Sequence, residues 1–121
     1  MDRYLYKDSE LPEKEIMPGV WLKSIHRGNQ LVTLVTFKPF AAVPEHEHTE
    51  QQISVIINGK MDVVIGGTRM TAQKGDVLVV PPGTPHSVEV SARGAQAIET
   101  WPHVIHEYVV DEAPSAGGDI E

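Results

Sequence analysis

The sequence predicts an all-β protein, a sandwich or small barrel, from three observations. Ten glycines and nine prolines in 121 residues supply turn formers at a density that a helical bundle does not use. Between them run short segments rich in Val, Ile and Thr, residues that pack well on a pleated surface. No stretch carries a convincing 3.6-residue apolar period. Short strands at such spacing close into a sandwich or barrel.

The elements follow in order. Residues 20–25 form a first strand, ended by Arg27-Gly28-Asn29, and residues 31–37 a second. Pro39 and Pro44 bracket a loop. Residues 51–57 then run into Asn58-Gly59, a strong hairpin signal, with residues 60–65 as the returning strand. Gly66-Gly67 turns the chain into residues 68–72, and residues 73–76 turn it again into a strand at 77–80. The Pro-Gly-rich stretch 81–85 stops that strand. Residues 86–90 and 95–101 are the last clear strands, joined by a turn at 91–94, and residues 106–110 read as an added edge strand. The chain is one domain long. Residues 1–16 are expected to be an N-terminal arm, 17–110 the barrel and 111–121 a disordered acidic tail.

Charge excludes several function classes. Ten Lys and Arg against 17 Asp and Glu give a net charge of -7, which disfavours nucleic acid and anionic membrane surfaces as partners. The absence of cysteine removes disulfides, thiolate metal sites and cysteine nucleophiles. The first residues lack the apolar run of a signal peptide, and no run reaches membrane-spanning length, so a cytoplasmic location is expected.

Six histidines are unevenly placed, at positions 26, 46, 48, 86, 103 and 106. His46 and His48 form a His-x-His pair, which on a strand points both rings the same way. Extending that alternation selects Glu50 and Gln52 and puts Gln51 on the opposite face. His86 follows a turn that can bring its strand alongside. Three imidazoles and a side-chain oxygen in a barrel interior suit a divalent first-row metal, with Ni, Zn, Fe, Mn and Co all compatible. Glu45, Glu47 and Glu50 read as a solvated acidic rim, with Glu50 also placed to hydrogen-bond a ligand histidine.

At this point the chain resembles the cupin family. His46-Glu-His48-Thr-Glu-Gln-Gln52 through Gly59 looks like the first cupin motif. Gly75-Asp-Val-Leu-Val-Val-Pro81-Pro-Gly83-Thr-Pro-His86 matches the second. The resemblance implies the double-stranded β-helix, or jelly-roll barrel, of that family. One position departs from it: where most cupins carry glutamate, four residues after the second histidine, this chain has Gln52. A neutral ligand leaves the ion one unit more positive and favours Lewis-acid chemistry over oxygen activation.

The Gln-containing pattern is similar to the small KdgF-type cupins of pectin and alginate breakdown. These hold a metal with three histidines and a glutamine and linearise unsaturated uronates. The resemblance thus implies His46, His48, Gln52 and His86 as metal ligands. It places over the metal an acidic residue, an aromatic and an arginine, which fall on Glu99, Trp101 and Ile105; the arginine is therefore missing. The same site also resembles small cupin cyclases of aromatic polyketide pathways.

Glu99 is the residue expected to move a proton, since burial raises a carboxyl toward neutrality. Trp101 and His103 are read as substrate-binding. Leu34, Ser54, Ile56, Met61 or Val63, Val88 and Trp101 are expected to line the pocket. The expected function is metal-assisted isomerisation, ring opening, cyclisation or dehydration of a small oxygenated substrate, with uronate linearisation first. A metal-dependent oxygenase and a noncatalytic ligand-binding cupin are the other classes. Ile53, Val55 and Ile57 lie opposite the ligand face, and a homodimer is expected to cover them.

Overall fold

The computed structural model describes residues 3–110 and contains eight strands. They are β1 (Lys14–Met17), β2 (Val20–Arg27), β3 (Gln30–Phe37), β4 (Ala42–His46), β5 (Gln52–Ile65), β6 (Thr68–Gln73), β7 (Val77–Val80) and β8 (His86–Trp101). All pairings are antiparallel. Among the described residues no helix is long and apolar enough to cross a membrane. Residues 111–121, read as a tail, lie outside the described residues.

The two longest strands organise the barrel. β5 and β8 pair along nearly their whole length, from Ile53↔Thr100 to Ile65↔His86, with irregularities around Gly59. The first part of β5 also pairs β7, and its second part pairs β6. β8 likewise pairs β4 near His86 and β3 toward Trp101. Each long strand therefore leaves one sheet and enters the other, and the two sheets close a jelly roll over one core. Leu22, Val35, Phe37, Ile56, Met61 and Val63 fill that core.

This corrects the sequence reading at Asn58-Gly59 and at residues 91–94. Neither is a hairpin turn, because β5 and β8 run straight through them. Gly59 has φ +81° and Gly94 φ +73°, and the two backbones touch. A Cβ on Gly59 would lie 2.1 Å from the Gly94 carbonyl oxygen. The positive φ that Asn-Gly signals serves a bulge at the barrel corner, where the strand changes sheet.

Two other expectations shift. Residues 14–17, at the border of the expected arm, form β1 on the edge beside β2. Residues 106–108 form a 3-10 turn in place of an edge strand. Val110 beyond it is buried, and its N–H donates to the buried Ser24 hydroxyl at 3.1 Å. That bond draws the C-terminal segment across the inner face of β2.

Candidate metal centre and its cavity

β4 ends at His46, β8 begins at His86, and the two residues are register partners. His48 lies in the loop between β4 and β5 rather than on a strand, so strand alternation does not place it. A hydrogen bond does: its Nδ1 is 2.8 Å from the Glu50 carbonyl oxygen. His86 Nδ1 meets the Thr84 carbonyl at 2.8 Å, and His46 Nδ1 meets that of Pro44 at 3.0 Å. Each ring thus donates from Nδ1 to backbone, which fixes the tautomer and leaves the Nε2 lone pair pointing elsewhere.

Those lone pairs converge. The ligand atoms of His46, His48 and His86 lie within 4.8 Å of one another. The Nε2 atoms of His48 and His86 are buried and have no hydrogen-bond partner. Burial, followed by the neighbouring His46 and His48 charges, holds His86 below the ordinary imidazole range and outweighs the bond to Thr84. A neutral ring with an unpartnered buried lone pair is what a metal ligand requires. The three imidazoles fit a divalent first-row ion.

Gln52 is buried beside them, while Gln51 is exposed. Its amide nitrogen donates to Ser54 Oγ at 2.9 Å and to Glu99 Oε2 at 3.1 Å. The carboxamide oxygen is the atom of Gln52 left to serve as a ligand. Glu99 is partly buried on the inward face of β8, opposite Ser54 of β5 and Thr33 of β3. Burial pushes its carboxyl up to about 7, against hydrogen bonds from Ser54, Thr33 and Gln52.

These groups close one end of a cavity of about 330 Å³, walled by Met17, Val20, Leu22, Val35, Phe37 and Val43. A deeper pocket continues from the shared residues Phe37, Gln52, His86, Val88 and Glu99 to Ser54, Ile56, Met61 and Val63. Leu34 alone among the expected wall residues is misplaced. It lies on the outward face of β3 with partner Ile98, and Thr33, Val35 and Phe37 face inward.

Trp101 lines the cavity, 4% exposed, with its indole N–H donating to Thr33 Oγ1 at 3.1 Å. His103 stands outside, exposed, with Nε2 3.2 Å from the Glu50 carboxylate. Glu50 therefore meets His48 through its carbonyl and His103 through its side chain. Ile105 is not among the lining residues.

Sequence reasoning missed Tyr108. Its ring packs 5.0 Å from that of Trp101 and lines the cavity. Burial, followed by the charges of Glu99, Glu107 and Glu50, pushes the phenol up to about 12, so it remains a hydrogen-bond donor. The available signal was an aromatic residue in the polar stretch shortly after the last strand.

An antiparallel jelly roll that gathers three histidines beside a partly buried carboxyl defines a barrel with a metal-type site. The chain belongs to the cupin family: the model for the cupin domain matches residues 33–100, more than half its length. It is similar to an H2HPP isomerase of Bacillus subtilis, 32% identical over 69 residues, which are 56% of this chain and 29% of that protein. The chain thus spans under a third of that relative's length. Among solved structures, an RmlC-like cupin from Shewanella frigidimarina matches with TM-score 0.82 and 19% identity, covering 88% of this chain and 96% of that one. KdgF from Halomonas sp. matches with TM-score 0.78 and 20% identity, covering 86% and 97%.

Proposed function

We propose that the protein is a metal-dependent isomerase that moves a proton within a small, enolisable, oxygenated substrate. The observation that carries this reading is Glu99. It is a carboxyl held near neutrality, bonded to Gln52 and facing the cavity shared with the histidines. A carboxyl poised near the working pH both accepts and returns a proton.

His46, His48, His86 and Gln52 would hold the ion, which when bound supplies Lewis acidity toward a substrate oxygen. Glu99 then takes a proton from the carbon adjacent to the substrate's carbonyl group. It returns the proton at a second carbon, and the double bond moves between them with no net redox change. The Tyr108 phenol, kept protonated, offers a hydrogen bond to the substrate. Ser54, Thr33 and Gln52 hold Glu99 in place for both transfers. The uronate linearisation implied by the resemblance begins with such a proton transfer, as does cyclisation of a diketone.

Protein purified without a histidine tag is expected to carry about one first-row metal ion per chain by elemental analysis. Replacing His86 by alanine removes one ligand and should lower metal affinity by at least about 10-fold, since even outer-shell changes cost that much. A His86→Ala protein with unchanged affinity would remove the metal from this proposal.

We further propose a homodimer formed through the outer face of the larger sheet. Cross-strand partners share a face, so Ile25, Val32, Thr100, Ile53 and Val79 form one outward row. Lys23, Leu34, Ile98, Val55 and Val77 form the next. No acidic residue occurs in either row, whereas the chain carries a net charge of -7. A second copy can pack on this face without opposing like charges, as an isologous interface requires. Lys23 is bound to Asp8 at 2.8 Å, so the N-terminal segment leans on one end, while Val77 and Val79 at the other are 56% and 51% exposed. Light scattering should give twice the chain mass, and Val77→Lys combined with Val55→Lys should give a folded monomer. A wild-type monomer at micromolar concentration would overturn this.

A further inference from the structure

The cavity also bears on which substrates the site accepts, an inference that rests on the isomerase reading above. Among the described residues lining the cavity and its deeper extension there is no lysine or arginine. The acidic side chains on the wall are Glu45 and Glu99. A carboxylate group on a substrate would therefore find no cationic side chain on the wall to receive it.

The polar groups are gathered at one end and largely engaged. Ser54 and Gln52 are bonded to one another and to Glu99, and the Thr33 hydroxyl receives the Trp101 indole. Away from that end, Met17, Val20, Leu22, Val35, Phe37 and Val43 offer no side-chain donor or acceptor. A polyhydroxylated sugar would bury several hydroxyls against them. Each hydroxyl left without a partner weakens binding by about 10-fold.

The volume sets the size. An engineered cavity of about 150 Å³ accepts benzene. At about 330 Å³ this one accepts a body about twice as large.

We infer that the cavity selects an uncharged, mostly apolar molecule, aromatic or alicyclic, with a single enolisable oxygen pair at the end that faces Glu99 and the histidines. The apolar walls bind the body, and the polar end binds the oxygen pair.

The experiment is calorimetric titration of the wild-type protein with 1-phenylbutane-1,3-dione and with glucuronate, in mildly acidic buffer where the diketone is uncharged. Each titration is run on metal-loaded and on chelator-treated protein. The diketone should bind at least 10-fold more tightly than glucuronate in both forms. Val43→Phe, which fills the cavity, should weaken the diketone at least 10-fold with unchanged circular dichroism, and Met70→Phe, an enlargement at an exposed position outside the cavity, should retain binding. Tighter binding of glucuronate overturns the inference. So does diketone binding that disappears on chelation, because the ion and not the wall would then be the binding element. Absence of metal from the purified protein, with diketone binding intact, would instead sink the isomerase reading and leave the cavity's selectivity standing.

Discussion

Replacing Glu99 by glutamine is expected to lower turnover by about 10² to 10⁴-fold, the usual contribution of a positioned general acid–base, while metal content stays unchanged. The residues proposed to hold the metal come from β4, the following loop, the start of β5 and the start of β8, whereas Glu99 lies near the far end of β8. Glutamine keeps the shape, and its single amide oxygen can still accept from Ser54 and Gln52 while its amide nitrogen faces the Thr33 hydroxyl, but it cannot carry a proton. Full activity in this variant would remove the proton-transfer role.

The same substitution has a stability signature in metal-free protein. The folded-state value for Glu99 is raised from 4.5 to about 7, so the protonated form is the one the fold favours. The carboxyl's stabilising contribution is fully present below pH 4.5 and is lost as pH rises through about 7. Above that range wild type bears the cost of a buried charge. Glu99→Gln should therefore gain on wild type between those limits, by at most about 3.5 kcal/mol at about 1.4 kcal/mol per pKa unit. Denaturant unfolding of both proteins across this range measures the gap, and a gap that narrows as pH rises contradicts the assignment.

Replacing Gly59 by alanine is expected to cost on the order of 4 kcal/mol or more, a large share of the stability of an ordinary domain. The new Cβ would sit 2.1 Å from the Gly94 carbonyl oxygen and 2.5 Å from Ala95 Cα, both backbone atoms that cannot swing aside. Gly67 provides the control. Its φ of +82° matches the +81° of Gly59, yet a Cβ there meets nothing within 4 Å. Gly67→Ala should cost only the left-handed strain of about 1–2 kcal/mol. Equal losses in thermal unfolding would show that backbone conformation, and not the close approach of β5 to β8, decides the effect.

Much of this was written in local sequence. The β-branched runs and turn residues determined where strands form, because strand propensity and turn chemistry act over a few residues. His46 and His48 stood out by their His-x-His spacing, and His86 by the Pro-Gly-rich motif that ends on it. Alternation counted from His46 and His48 selected Gln52 over Gln51, although the loop at 47–51 interrupts the strand, and it is the start of β5 at Gln52 that buries this residue and leaves Gln51 exposed. The tertiary structure decided what depended on distant partners. Asn58-Gly59 specifies a positive φ, but whether that turns the chain or bulges it is set by Gly94, which lies 35 positions away in the sequence. Leu31 to Phe37 alternates apolar residues on both faces, so only pairing with β8 shows that Val35 faces in and Leu34 out. Tyr108 enters the cavity because the Val110 N–H finds Ser24, 86 positions earlier. Preferences of single residues choose strands and turns, whereas faces, corners and cavity walls follow from which strands meet, a choice made by burial of the whole core.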